Sequence, residues 1–156
     1  MQSNIHLHQT TCLTPEQYIA GPTDFGRGRS KLFANSADEY LKVHSLGRFE
    51  ADVAEGSGSI WERLRCDWSD PNQVVLTTTD SNLWGGASGR TDNFTRRADG
   101  TTDINVDVVR EGKNLKGRLL GLVVRTIGRS VLEKAFENSA KAIEARNGAA
   151  KGRTVS

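Results

Sequence analysis

The stretch "GRTDNFTRR" puts Arg90, Asp92, Phe94 and Arg96 at alternate positions, so a regular strand carries all four on one face. If Phe94 points inward, Arg90 and Asp92 follow it, and a charged pair inside a protein can orient a polar ligand group or act as acid and base. The same residues also make an ordinary structural or solvated ion pair, and a one-residue bulge reverses the whole assignment. The sequence leaves both readings open.

Other candidates carry less chemistry. Trp84 stands in "SNLWGGASGR", an otherwise small and polar connection. A large indole there either anchors the loop on the core or lines an entrance, and Gly85, Gly86 and Gly89 permit the loop to open. "EGSGS" at 55–59 lacks the Lys-Ser/Thr pair and following helix of a phosphate-binding loop and reads as a flexible hairpin turn. Trp61, Arg63, Arg65 and Asp67 share one strand face, Ile60, Leu64, Cys66 and Trp68 the other. Burying arginines without partners is costly, so the aliphatic face goes inward and the arginines pair outside with residues such as Asp52, Asp103 or Asp107. His6 and His8 share a face, but His44 is distant and the two cysteines do not cluster with them, so no metal site is expected. Cys12 and Cys66 read as reduced, packed thiols. No Ser-His-Asp, Cys-His or paired-carboxylate pattern stands out, and no cofactor is implied.

The chain of 156 residues is 36% apolar, the size and composition of one domain with a moderate core. Its 21 basic and 19 acidic side chains are interleaved, which argues against nucleic acid as a partner. No run of about 18 apolar residues exists and the N-terminus lacks the features of a signal peptide, so membrane insertion is not expected and the cytoplasm is.

Position of these residues depends on the elements that carry them. "IHLHQTTCL" reads as a first strand, followed by "TPEQYIAGPTDF", a short helix capped by Thr14 with Pro15 at its first position. "RSKLFANSADEYL" holds a second irregular helix. From Tyr40 to Arg110 roughly six strands alternate with turns, an antiparallel meander whose "LGR", "SDPN" and "ADG" connections are tight and whose "EGSGS", "SNLWGGAS" and "EGKN" connections are looser. From Asn114 to Arg146 the period becomes helical, and Leu115, Leu119, Leu122, Val123, Ile127, Val131, Leu132, Ala135, Phe136, Ala140 and Ile143 mark one broad stripe. That stripe is expected to cover the buried face of the sheet. A straight helix fits a twisted, curled sheet over only part of its length. With 6% aromatic residues to fill the remainder, a cavity is expected beneath the helix.

Strand, two short helices, six-stranded meander and long C-terminal helix is an order that resembles the START-like, polyketide cyclase and dehydrase (SRPBCC) superfamily, which includes the birch pollen allergen type. The resemblance rests on "TPEQYIAGPTDF", "ADVAEGSGSIWERLRCDWSDPNQV", "FTRRADGTTDINVDVV" and "GRLLGLVVRTIGRSVLEKAFENSAKAIEAR". It implies an α+β helix-grip fold over 4–147, a curved sheet of about seven strands wrapped on the long helix, with a disordered basic tail at 148–156. It further implies an apolar or amphipathic small molecule, lipid- or polyketide-like, held between sheet and helix, with a cyclase or dehydratase as the alternative. Leu64, Trp68, Phe94, Val106, Val108, Leu119, Val123 and Ile127 are the expected wall, Arg90 and Asp92 the polar groups and Trp84 the mouth. A monomer or homodimer without nucleic acid is the expected state.

Overall fold

The computed structural model describes residues 2–33 and 36–154, and within that span the side chains of Ile127 and of 149–154 lie outside the described residues. Seven alternating stretches form β1 (Gln2–Thr11), β2 (Lys42–Leu46), β3 (Glu50–Ser57), β4 (Ile60–Asp67), β5 (Gln73–Ser81), β6 (Gly89–Arg96) and β7 (Thr102–Glu111). They make one antiparallel sheet in the order β1-β7-β6-β5-β4-β3-β2. The N-terminal strand thus closes against the last one, with Gln2 opposite Glu111 and Thr11 opposite Thr102. Alternation dictates which side each residue takes. Ala51, Val53, Leu64, Cys66, Val106 and Val108 are buried on the inner face, while Asp52, Arg63 and Arg65 face outward. Of the outer arginines, Arg63 pairs with Asp52 at 2.9 Å, as expected, while Arg65 lies more loosely by Glu50 at 3.9 Å, and Asp103 and Asp107 pair instead with Arg97 and His6. "EGSGS" is tighter than its composition suggests: Ser57 pairs with Ile60 around a two-residue turn in which Gly58 has φ 62°.

Helix α1 (Pro15–Ile19) begins at Thr14, whose hydroxyl accepts from the Gln17 backbone N–H while the Gln17 side chain accepts from the Thr14 N–H. It buries Tyr18 and Ile19. Two 3₁₀ turns, Arg29–Lys31 and Asp38–Tyr40, stand where a second helix is expected, and Ala34 and Asn35 between them lie outside the described residues.

The C-terminal helix is not one uniform rod. It comprises α2 (Leu115–Val123), a π-helical turn at Val124–Gly128 and α3 (Arg129–Thr154). It is capped by Asn114, whose side-chain oxygen accepts from Gly117 N–H at 2.8 Å. It continues past Arg146 to Thr154, where a disordered tail is expected from 148; alanine and lysine there are good helix formers and no proline intervenes.

The π turn has a large consequence. One extra residue in a turn shifts the helical phase by about 100°. Leu132, Phe136, Ala140 and Ile143 of α3 face the sheet, but in α2 the inward positions are Gly117 and Gly121. Leu115 and Leu119 are 74% and 61% exposed, and Leu122 and Val123 lie outside with them. The expected single stripe is therefore two, and its first half faces water. The glycines explain why. A side chain at Gly117 would run into the Leu83 carbonyl and approach the Gly112 backbone, so only a bare helix backbone can lie this close to the β5–β6 connection. Ser3 on β1 donates to the Gly121 carbonyl at 3.3 Å and fastens the same face.

Gly117→Ala is expected to destabilise the fold by about 2 kcal/mol or more, through overpacking against fixed backbone. Gly121→Ala, whose Cβ would first meet the Trp84 ring at 3.9 Å, should change stability by no more than about 1 kcal/mol, in the stabilising direction. Urea titration of the two variants checks the contrast.

Candidate functional site

Inner strand faces normally carry apolar residues alone, yet here three carboxylates stand among them: Glu55 on β3, Glu62 on β4 and Asp92 on β6. Each is matched by an arginine. Arg29 Nε donates to Glu55 Oε2 at 2.8 Å, and its Nη1 donates to the carbonyls of Pro22 at 2.7 Å and Asp24 at 3.1 Å. The Arg29 guanidinium also lies between the rings of Phe25 and Phe33, 4.6 and 4.8 Å from their centroids. Glu62 accepts from Thr78 at 2.8 Å and pairs with Arg110 at 3.3 Å. Arg90 grips Asp92 in a fork, with Nε at 2.7 Å and Nη2 at 3.2 Å.

The Arg90–Asp92 pair occupies the middle of the concave face. Phe136 of α3 covers it, its ring centroid 5.4 Å from the guanidinium carbon. Tyr18 of α1 stands close by. Burial pushes the Tyr18 phenol well above its ordinary value; Arg90 works against that shift and Asp92 adds to it. For Arg90, burial acts to lower the pKa, but the adjoining Asp92 carboxylate outweighs it, so the guanidinium stays charged. Of the Arg90 side chain 28% remains accessible, against 3% for Asp92.

The packing around the pair is not uniform. The core divides into two clusters. One joins Ile5, Leu7, Tyr18, Phe94, Val106 and Phe136 between β1, β7, β6 and the helices. The other holds Phe25, Ala51, Val53, Leu64 and Cys66 against β3 and β4. Only partly buried side chains, Trp68 and Leu76, pack against both. α3 lies along β1, and α1 packs on α3 and β6, so the helix leaves β3–β5 to the segment around Phe25 and Arg29. Two depressions lie on the surface: an open saddle of about 600 Å³ between Asp52, Arg63 and Asp80 on the outer face, and a groove of about 540 Å³ between Leu32 and Val131.

Solved structures share this arrangement across nearly the whole chain. An aromatase/cyclase, Zhui from Streptomyces sp. R1128, superposes with TM-score 0.71 at 12% identity, covering 95% of this chain and 94% of its own. A START superfamily protein from Mycobacterium smegmatis gives 0.64 at 12% identity, covering 93% and 97%. The fold is the helix-grip fold. Ara h 8.0201 shares it with TM-score 0.56 at 13% identity over 96% of this chain and 99% of that one. No protein-family model and no curated protein sequence matches the chain, so the likeness is one of fold.

Within this helix-grip frame the expected site residues separate. Arg90 and Asp92 face the interior with Phe94, on a strand that pairs without a bulge against β7. Leu64 belongs to the second cluster, Trp68 packs against both, and Val108 of the first cluster stands opposite Arg90 in register. Phe94 and Val106 are deeper, in the packed cluster, with Phe94 5.6 Å from the Tyr18 ring. Leu119 and Val123 are not wall residues, because the glycine face of α2 turns them to solvent. The side chain of Ile127 lies outside the described residues. Trp84 is 5% exposed and is an anchor rather than a mouth. Its backbone bridges Gly112, its N–H donates to Ser81 Oγ at 3.2 Å, and Arg110 lies 5.6 Å over its ring. The adjacent glycines serve close approach: a side chain at Gly86 would strike the Glu111 carboxylate, and one at Gly89 would come within 2.6 Å of the Leu76 carbonyl.

Sequence reading missed Glu55, Glu62, Arg110, Arg29 and Tyr18. The first three were legible, since Glu55 shares strand parity with Val53, Glu62 with Leu64 and Arg110 with Val108. Arg29 and Tyr18 reach the interior from outside the sheet, where no periodicity marks them.

Cys66 lies on the inner face beneath Phe25, and burial pushes its thiol up to about 12, with Glu55 adding to the shift. Cys12 is exposed. A disulfide reagent at about pH 8 should therefore consume one thiol quickly in the native protein and the second only after denaturation, and Cys12→Ser should remove the fast phase.

Proposed function

We propose that this chain binds one apolar or amphipathic small molecule in the hollow between the concave sheet and α3, lipid- or polyketide-like in its bulk. The observation that carries the reading is the Arg90–Asp92 pair, whose arginine side chain stays 28% accessible on an inner face that packs as two apolar clusters. Asp92 engages two of its N–H groups, and a guanidinium has five donors in all. The remaining ones suit an acceptor oxygen on the ligand, a carboxylate, carbonyl or hydroxyl, while Trp68, Leu76 and Leu64 supply apolar contact on the other side. That combination of apolar walls and few placed donors suits binding.

A cyclase or dehydratase is the competing reading, in keeping with the aromatase/cyclase among the structural neighbours. The Arg90–Asp92 fork weighs against it. Both Asp92 oxygens already accept from the Arg90 fork, and among the described residues no second carboxyl, imidazole or phenol hydrogen-bonds to them to act as the paired acid and base of such a reaction. The cytoplasm is the proposed location, in keeping with thiols that are free in both described cysteines.

Oleate, which combines an apolar chain with a carboxylate, is a suitable probe. Native mass spectrometry should show one equivalent bound, with a change in tryptophan emission from Trp68. Leu76→Trp, which fills the hollow, should abolish binding. Removing both charges together in R90M/D92L avoids leaving an unpaired one and should weaken oleate roughly tenfold or more. An unaltered affinity in both variants, or no binding of oleate or of other apolar acids and phenols, overturns the reading.

A further inference from the structure

Helix α2 shows to solvent the residues that an amphipathic helix ordinarily buries. Its residues advance by about 100° each, which gathers Leu115, Leu119, Leu122 and Val123 into one arc of about 100°. Lys116 borders that arc on one side and Arg118 on the other. All six are exposed. Neither Lys116 nor Arg118 makes an ion pair among the described residues. Between Glu111 and Glu133 the chain has Lys113, Lys116, Arg118, Arg125 and Arg129 and no acidic residue. The arc is thus an apolar ridge with cations along both flanks.

From this arrangement we infer that the outer face of α2 docks on the surface of an anionic lipid bilayer, lying in the plane of the interface without spanning it. An apolar ridge enters the boundary between headgroups and acyl chains, and flanking lysine and arginine meet the lipid phosphates. No described helix is long and apolar enough to cross a membrane. Shape selects a planar partner over a groove. The opposite face of α2 is pressed to the β5–β6 connection through Gly117 and tied to Ser3 through Gly121, so the helix presents only its outer face, about 14 Å long. Charge selects lipid over a second copy, because pairing this face with itself would set Lys116 and Arg118 against their own counterparts. The leucine ridge between the cations selects lipid over nucleic acid, whose backbone offers it no apolar contact.

The inference does not rest on ligand binding in the hollow. Its test is sedimentation of the full chain with vesicles of phosphatidylcholine containing about 30 mol% phosphatidylserine, against phosphatidylcholine alone. Binding to the anionic vesicles only is expected, with loss as salt rises from about 0.1 to about 0.5 M. K116Q/R118Q should weaken it roughly 25-fold, at about fivefold per cation. L119D/L122D should weaken it roughly tenfold or more while leaving the circular dichroism spectrum and oleate binding unchanged. Val131→Asp, an exposed apolar position beyond the cationic stretch, should have no effect. Failure to bind anionic vesicles, equal binding to neutral ones, or undiminished binding by L119D/L122D overturns the inference. So does a lipid-free dimer that L119D/L122D dissociates, which would assign the ridge to a second copy.

Discussion

The contact on which the arrangement turns is between helix backbone and loop backbone at Gly117. Because no side chain separates α2 from the Leu83 carbonyl, the helix sits lower over β7 and β1 than leucines would allow. Everything else about the helix follows from that seat. Its apolar arc must point away, the π turn at Val124–Gly128 must restore the phase, and only then can Phe136, Ala140 and Ile143 of α3 close the core. The β5–β6 connection is fixed by the same contact, with Ser81 Oγ accepting from Leu83 and Trp84 N–H, and Ser88 donating to the Gly85 carbonyl at 2.7 Å.

A helix seated on β1 and β7 cannot also cover β3–β5. That half of the concave face is covered instead by the segment after α1, and the fastening there is polar. Arg29 is buried, but it is satisfied by Glu55, two carbonyls and two phenyl faces, the condition under which a buried charge is tolerable. Asp24 at the end of the same segment pairs with Arg146 of α3 and its carboxyl is held below the usual range, with hydrogen bonds from Gly26 and Arg146 outweighing burial. The segment is therefore tied at one point to the sheet and at another to the helix.

Much of this was legible in the sequence. Strict alternation in β3, β4 and β7 fixed the strands and their inner residues, the Thr14-Pro15 pair fixed the start of α1, and the element order fixed the helix-grip arrangement. Parity ties Arg90 and Asp92 to Phe94, but which face of the strand goes inward was left open by the sequence and is decided by the burial of Asp92 and Phe94. What escaped has two physical causes. Counting large apolar residues as the inward face of the helix ignores glycine, although Gly117 and Gly121 are four apart and mark a close-packed face as clearly as leucines mark a wide one. A π turn leaves no local signal, because it is imposed by the need to bring two differently phased faces onto one sheet. Arg29 and Tyr18 escaped because irregular segments and short helices carry no period to read.

The finished molecule inverts the usual distribution in two ways, charge inside and leucine outside, and each carries a cost in stability. Leaving Leu115, Leu119, Leu122 and Val123 about half exposed or more forgoes on the order of 5 kcal/mol of apolar burial. Replacing a buried ion pair such as Arg90–Asp92 by well-packed apolar groups often gains about 1–4 kcal/mol. The first is comparable to the net stability of an ordinary domain, about 5–15 kcal/mol, and the second is a sizeable fraction of it. Folding alone therefore supplies no reason for either feature. A chain optimised only for its fold would carry leucine at Arg90 and Asp92 and polar residues along the outer arc of α2. Local rules broken at this cost, in a chain that obeys them along β3 and β7, fall where a fold meets something other than itself. One break faces the interior and suits a small molecule with an acceptor oxygen; the other faces solvent and suits a charged, planar, apolar-cored surface.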